Sequence, residues 1–301
     1  MIELRSLTKQ FGPRRAVDDL TLTVPAGEIF GLLGHNGAGK STAIGMMLGQ
    51  VWPTSGEAKI GGFDVARQRR QALQSVGAIF ESPAFYDYLS GYRNLEILSH
   101  YTAPTSRRRI AEVIDWVGLT GREASKVKTY SHGMRARLAL AQALLPQPKL
   151  MILDEPGDGL DPEGLHEIRQ TILRLHRELG MTILLSSHLL TEVEQLCTRI
   201  AVLKEGRLVF EGHLAEAKSR QNLVRLRVSD FPAAVELLRR ERLILDSRDG
   251  KHVILAAGTG TDQVVRRLVE QGMPVFEVAA EEMTLEDFYL SLMKSGRKAA
   301  N

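Results

Sequence analysis

Residues 34–42 read Gly-His-Asn-Gly-Ala-Gly-Lys-Ser-Thr, a full match to the pattern G-x-x-x-x-G-K-[ST]. The apolar run Ile29 to Leu33 precedes it as a strand, and Ser41 to Leu48 follows with the composition of an opening helix. In that setting the glycines Gly34, Gly37 and Gly39 let backbone N–H groups turn inward on phosphates, and the new helix adds its positive N-terminal dipole. His35, Asn36, Ala38 and Thr42 complete the loop. Lys40 is expected to reach the β- and γ-phosphates, and the Ser41 hydroxyl to ligate Mg²⁺. The segment therefore implies binding of a nucleoside triphosphate.

The flanking pattern says what sheet holds this loop. Leu20, Leu22 and Val24 alternate with Thr21 and Thr23, as in a half-buried strand, and Pro25-Ala26-Gly27 is a turn before the next strand. From Pro83 to about Arg122 the apolar spacing is helical, with Ile110, Val113, Ile114 and Val117 on one face. Strand signals return at Lys149–Leu153 and Met181–Leu185, with a helix between them from about Glu163 to Leu179. Such alternation predicts an α/β domain with a parallel sheet and crossover helices. A second unit is expected from about residue 219 to 301. Its pattern of strand, helix, strand, strand, helix, strand over Leu223–Val228, Ala233–Arg240, Leu243–Asp246, His252–Ala256, Asp262–Glu270 and Pro274–Val278 has the order of a ferredoxin-like fold, closed by a helix over Leu285–Met293.

Composition narrows the partners. No apolar stretch approaches the roughly 20 residues that span a bilayer, and the start Met1-Ile2-Glu3-Leu4-Arg5 lacks the pattern of a secretion signal. The expected location is the cytoplasm. The 39 basic and 36 acidic residues leave a net charge of +3 but are interleaved, and Arg107-Arg108-Arg109 reads as a solvated helix face, so no nucleic-acid partner is expected. The single cysteine, Cys197, reads as a buried thiol beside Val193 and Leu196.

The chemistry-bearing residues beyond the P-loop begin at Asp154-Glu155-Pro156, where the strand Leu150–Leu153 ends. Two carboxylates at a strand end face the phosphates. Asp154 is expected to hold Mg²⁺ as the acidic partner of Ser41, and Glu155 to polarise the water that attacks the γ-phosphate.

The order of P-loop, Ser131-His132-Gly133-Met134, Leu153-Asp154-Glu155-Pro156, Gly159-Leu160-Asp161 and His188 resembles the nucleotide-binding subunit of an ATP-binding-cassette (ABC) transporter over roughly residues 1 to 215. The resemblance implies a P-loop ABC ATPase cassette over 1–218, with an N-terminal antiparallel β region and a helical subdomain at about 83–148. A small α+β domain of regulatory or dimerising role follows at 219–301. Ser131 as a cap, with free N–H groups at a helix start, makes an anion site. The usual family pattern has Gly at 132 and Gln at 134, and the variant here resembles bacitracin-resistance-type exporters. Glu81, where the family usually has glutamine, points to the same branch and implies a carboxylate near Mg²⁺.

Further roles come only from this resemblance. It implies that ATP is shared between the P-loop of one copy and Ser131, His132, Gly133 and Met134 of another in a head-to-tail dimer, with Phe11 stacking on adenine, His188 contacting the γ-phosphate and the water, and Asp161 at the subunit interface. A separate multi-span membrane permease would dock near Pro83-Ala84-Phe85-Tyr86, placing the chain peripherally on the cytoplasmic face of the cell membrane. The implied task is export of a drug, antibiotic, lipid or polysaccharide. The alternative is a soluble ABC-type ATPase acting on ribosomes or DNA, which usually carries two cassettes in one chain or a long coiled coil; neither feature is present.

Overall fold

The computed structural model describes residues 1–80, 84–102, 105–219, 223–256, 258–281 and 284–295. They form two compact units, Met1–His213 and Leu214–Asn301. Glu81 and Pro83 lie outside the described residues.

The first unit opens with strands β1 (Ile2–Phe11) and β2 (Arg14–Val24). Leu20, Leu22 and Val24 face inward and Thr21 and Thr23 outward, as the alternation predicts. Next come β3 (Ile29–Leu33), α1 (Lys40–Met47), β4 (Ser55–Ile60) and β5 (Phe63–Asp64). The first antiparallel sheet has the order β2-β1-β4-β5. After α2 (Arg69–Leu73) and β6 (Val76–Ile79), the chain leaves the sheet for α3 (Gly91–Thr102), α4 (Arg107–Trp116) and α5 (His132–Leu144). It re-enters at β7 (Leu150–Asp154) and continues through α6 (Pro162–Leu179), β8 (Thr182–Ser187), α7 (Leu190–Leu196), β9 (Arg199–Lys204) and β10 (Arg207–His213).

The second sheet has the order β10-β9-β3-β8-β7-β6, with parallel pairing from β6 to β9 and β10 antiparallel at the edge. Strands β3, β7 and β8 are buried along their whole length because both faces are covered, which is why they read as unbroken apolar runs. The register sets Leu33 beside Ser187 and Asp154 beside Ser186, so three strands end on one edge of the sheet. Ligands of open α/β sheets bind outside such carboxyl ends. Leu20, Leu22, Phe30, Leu32, Ile44, Met47, Ile152 and Leu184 share the core that joins the two sheets to α1. Cys197 is buried, as expected, and burial pushes its thiol pKa up. A Cβ on Gly31 would lie 2.9 Å from Cys197 Sγ, so the glycine in β3 makes room for it.

The second unit begins at α8 (Leu214–Ser219), ahead of the boundary expected at 218/219, because that helix packs on α11 (Leu285–Ser295) at the other end of the unit. Between them run β11 (Leu223–Val228), α9 (Phe231–Arg240), β12 (Ile244–Arg248), β13 (His252–Leu255), α10 (Thr261–Glu270) and β14 (Val275–Glu281). The antiparallel sheet has the order β12-β13-β11-β14. Asp230 caps α9 by accepting a hydrogen bond from Ala233 N, and Pro232 fits its first turn. Val224, Leu226, Leu238, Val253, Leu255, Val264 and Leu268 form the core between this sheet and its two helices. Among the described residues, no helix is long and apolar enough to cross a membrane.

Candidate functional site

The P-loop leaves β3 at the carboxyl edge and turns through Gly37 (φ 82°) and Gly39 (φ 105°), conformations that L side chains rarely adopt. A Cβ on Gly39 would lie 2.4 Å from the Ala16 carbonyl, so the loop lies directly on β2. Ala38 is buried beneath the loop, while His35 and Asn36 are exposed. Lys40 is 4% exposed; its Nζ donates to the Gly34 carbonyl at 2.8 Å and stands 3.2 Å from Glu155 Oε1.

A cleft of about 500 Å³ opens over this loop, lined by Asn36, Gly39, Lys40, Ser41, Thr42 and Glu155 on one side and by Phe11 and Arg14 on the other. Phe11 is 50% exposed, which excludes it from the core, and Lys9 Nζ lies 4.8 Å from its ring centre. The described lining of the cleft contains none of Ser131, His132, Gly133 or Met134.

Asp154 is the last residue of β7 and is buried; its Oδ1 accepts the Ser186 hydroxyl at 2.5 Å. The same hydroxyl oxygen accepts Glu155 N at 3.0 Å, tying the ends of β7 and β8 together. Glu155 adopts a left-handed backbone (φ 49°), a strain of about 1 kcal/mol for a side-chain-bearing residue. That turn aims its carboxylate at two partners: Lys40 on Oε1, and His188 Nδ1 at 2.6 Å on Oε2. Burial pushes the Glu155 pKa up, but the hydrogen bonds and charges of Lys40 and His188 outweigh it and hold the group below its ordinary value. The Ser41 hydroxyl and the Asp154 carboxylate are hard oxygen donors, the chemistry that suits Mg²⁺. Glu81, the third expected ligand, lies outside the described residues.

Ser131 is the N-cap of α5, its Oγ accepting Met134 N at 3.2 Å. His132 is the first helical residue, and its Nε2 would stand 3.4 Å from a Cβ on Gly159. A Cβ on Gly133 would lie 3.3 Å from Gly164 Cα, so the starts of α5 and α6 touch backbone to backbone. Asp161 is the N-cap of α6, its Oδ1 accepting Gly164 N at 2.9 Å. The segments 131–133 and 159–164 thus meet each other, away from the cleft lining.

A family profile described as "ABC transporter" matches residues 17–158. The uncharacterized ABC transporter ATP-binding protein YhcH of Bacillus subtilis (strain 168) is 39% identical over 97% of this chain and 95% of its own length. The chain belongs to the ABC transporter ATP-binding proteins. The bacitracin transport ATP-binding protein BcrA of Enterococcus faecalis is 37% identical over 98% of this chain and 97% of its own. Among solved structures, a dimeric post-hydrolysis state of the ATP-binding cassette MJ0796 bound to ADP and Pi matches with a TM-score of 0.63 and 25% identity, over 71% of this chain and 99% of that one. This chain is an ABC ATPase subunit built for transport, and it binds nucleotide.

Sequence reasoning missed four members of the cassette's site. Arg14 donates to the Gly37 carbonyl at 3.2 Å and lines the cleft; the basic pair Arg14-Arg15 just after Phe11-Gly12-Pro13 was its only signal. Ser186 bridges Asp154 and Glu155 from the neighbouring strand, and only the register reveals it. The Asp158 carboxylate reaches within 4.8 Å of the acting atoms of Glu155 and His188. Glu192 is buried beneath the loop that carries His188, and burial pushes its pKa up.

Proposed function

We propose that two copies of this cassette close head to tail around two ATP molecules and that Glu155 acts as the base of hydrolysis. The observation that carries the reading is the chain of contacts Lys40–Glu155–His188 at the carboxyl edge of the sheet, over a cleft whose described lining lacks the 131–134 segment. One copy then supplies the P-loop and its partner supplies Ser131 to Met134, whose helix N-terminus offers N–H donors to a phosphate. Asp161 lies at that interface as well as capping its own helix.

Within the site, Lys40 exchanges the Glu155 carboxylate for the β- and γ-phosphates, Phe11 stacks on adenine, and Glu155 accepts the proton of the attacking water while His188 holds its carboxylate in place. Ser41 and Asp154 would hold Mg²⁺, with Glu81 as a further ligand, and the ion would offset charge on the β- and γ-oxygens. Closing and opening of the dimer works a separate multi-span permease, so the chain sits on the cytoplasmic face of the cell membrane. The exposed rings of Tyr86 and Tyr88, packed edge to face at 6.1 Å, stand on a loop pinned by buried Asn94 and suit that docking. The kinship with a bacitracin transport protein supports an antibiotic or drug as cargo and export as direction.

The test is purification of the tagged Glu155→Gln chain with ATP from detergent-solubilised membranes of the native cell. Co-purification of one multi-span protein, with an ATP-dependent dimer on gel filtration, is expected. An ATP-saturated monomer, or recovery of ribosomes or DNA in place of a membrane protein, would overturn the reading.

A further inference from the structure

Glu192, on α7, is only 5% exposed, and its two carboxylate oxygens meet different loops. Oε2 accepts the Ser187 hydroxyl at 2.8 Å, and that hydroxyl oxygen in turn accepts Leu189 N at 2.9 Å. The carboxylate is the nearer of two acceptors for the Ser187 hydroxyl, the Leu189 carbonyl lying at 3.4 Å, and so ties α7 to the bend 187–189, which carries His188. Oε1 has no hydrogen-bond partner among the described residues and lies against the other loop: a Cβ on Gly157 would stand 2.1 Å from it. Gly157 follows Glu155-Pro156, and two successive turns, Asp158 N to Glu155 O at 3.1 Å and Leu160 N to Gly157 O at 3.3 Å, lead from there to Asp161. A buried carboxylate is costly where an aliphatic side chain would fill the same space. One that touches both loops does something packing alone does not.

We propose that Glu192 is a positioning residue that fixes the spacing of Glu155 and His188 by bracing the loops on which they stand. The inference rests on Glu155 and His188 acting as the hydrolytic pair. It leaves the P-loop untouched, so it governs turnover and not nucleotide affinity.

The test is steady-state ATPase activity of the full chain together with affinity for a fluorescent ATP analogue, for Glu192→Ala, Glu192→Gln, Gly157→Ala and the double variant Gly157→Ala/Glu192→Ala. Glu192→Ala is expected to lower kcat by about tenfold or more with KM for ATP within about twofold of wild type. Glu192→Gln, which keeps an acceptor for Ser187, should restore most of the rate. Gly157→Ala pushes on the carboxylate and on Leu165 Cδ1, 2.6 Å from the added Cβ, and should also lower kcat; removing the carboxylate in the double variant should recover the part of that loss that comes from Glu192. Wild-type kcat in Glu192→Ala or in Gly157→Ala, or a matching rise in KM, would overturn the assignment. If Glu192→Ala does not fold, Glu192→Met, which fills the space but gives Ser187 no carboxylate acceptor, takes its place under the same expectations. Glu155→Gln, run alongside, separates the two readings: normal turnover there removes the hydrolytic pair itself, whereas loss of turnover there with normal Glu192→Ala removes only the brace.

Discussion

Lys40 Nζ stands 3.2 Å from Glu155 Oε1, so the buried ammonium of the P-loop and the carboxylate just after β7 neutralise each other. An unpaired ammonium at 4% exposure would be strongly destabilising, and the glutamate removes that cost when no phosphate is at hand. A triphosphate entering the cleft competes for the same ammonium. On the proposed reading, its arrival would free the Glu155 carboxylate from Lys40 and leave His188 as its partner.

The pair makes stability depend on pH with a defined sign. The folded-state pKa of Glu155 is lowered from 4.5: burial raises it, and Lys40 and His188 more than offset that rise. Its contribution is therefore fully present above about pH 4.5 and lost as pH falls through the lower folded value. In thermal melts of the nucleotide-free chain, Lys40→Met should show a shallower loss of Tm between pH 6 and pH 3 than wild type. Equal slopes would show that the pair contributes nothing in solution.

Gly39 combines a φ of 105° with a Cβ position 2.4 Å from the Ala16 carbonyl. Gly39→Ala is expected to destabilise the first unit by about 1–3 kcal/mol and to abolish nucleotide binding, since the loop must lift off β2. Unchanged Tm and ATP affinity would show that the loop accommodates a side chain.

Ser131→Ala removes the acceptor of the Met134 N–H and should cost about 1 kcal/mol of stability. Because Ser131 is absent from the cleft lining, ATP affinity of the monomer should hold, while kcat falls by about tenfold or more through loss of the partner copy's contact. A drop in monomer affinity comparable to the drop in kcat would contradict a shared site.

Phe11, half exposed on the cleft rim, is expected to act on ligand and not on fold. Phe11→Ala should weaken ATP binding by about tenfold, in line with roughly 1–3 kcal/mol per stacked base, with Tm unchanged and Phe11→Tyr near wild type. Titration with a fluorescent nucleotide reads both.

Much of this was legible in the chain because the signals are local. The P-loop spells its own backbone, as Gly37 and Gly39 with positive φ bear out, and the apolar runs at 29–33 and 182–185 announce strands covered on both faces. Ser131 was readable as a cap for the same reason: its partner, Met134 N, lies one turn away. Asp161, expected at the interface from the resemblance, also caps α6, a role that the fold adds. The second unit's order of elements followed from alternating periodicity, but the position of its boundary did not, because α8 is held by a helix at the far end of the chain.

The sequence by itself determined the α/β class, the nucleotide loop, the strand-end carboxylates and the family, since each is written in short local patterns and their order along the chain. Tertiary structure decided which of those residues meet. Lys40, Glu155 and His188 converge only because parallel strands β3, β7 and β8 end on one edge in one register. Arg14, Ser186 and Glu192 carry no motif, and their roles come from hydrogen bonds and contacts that close when distant segments pack.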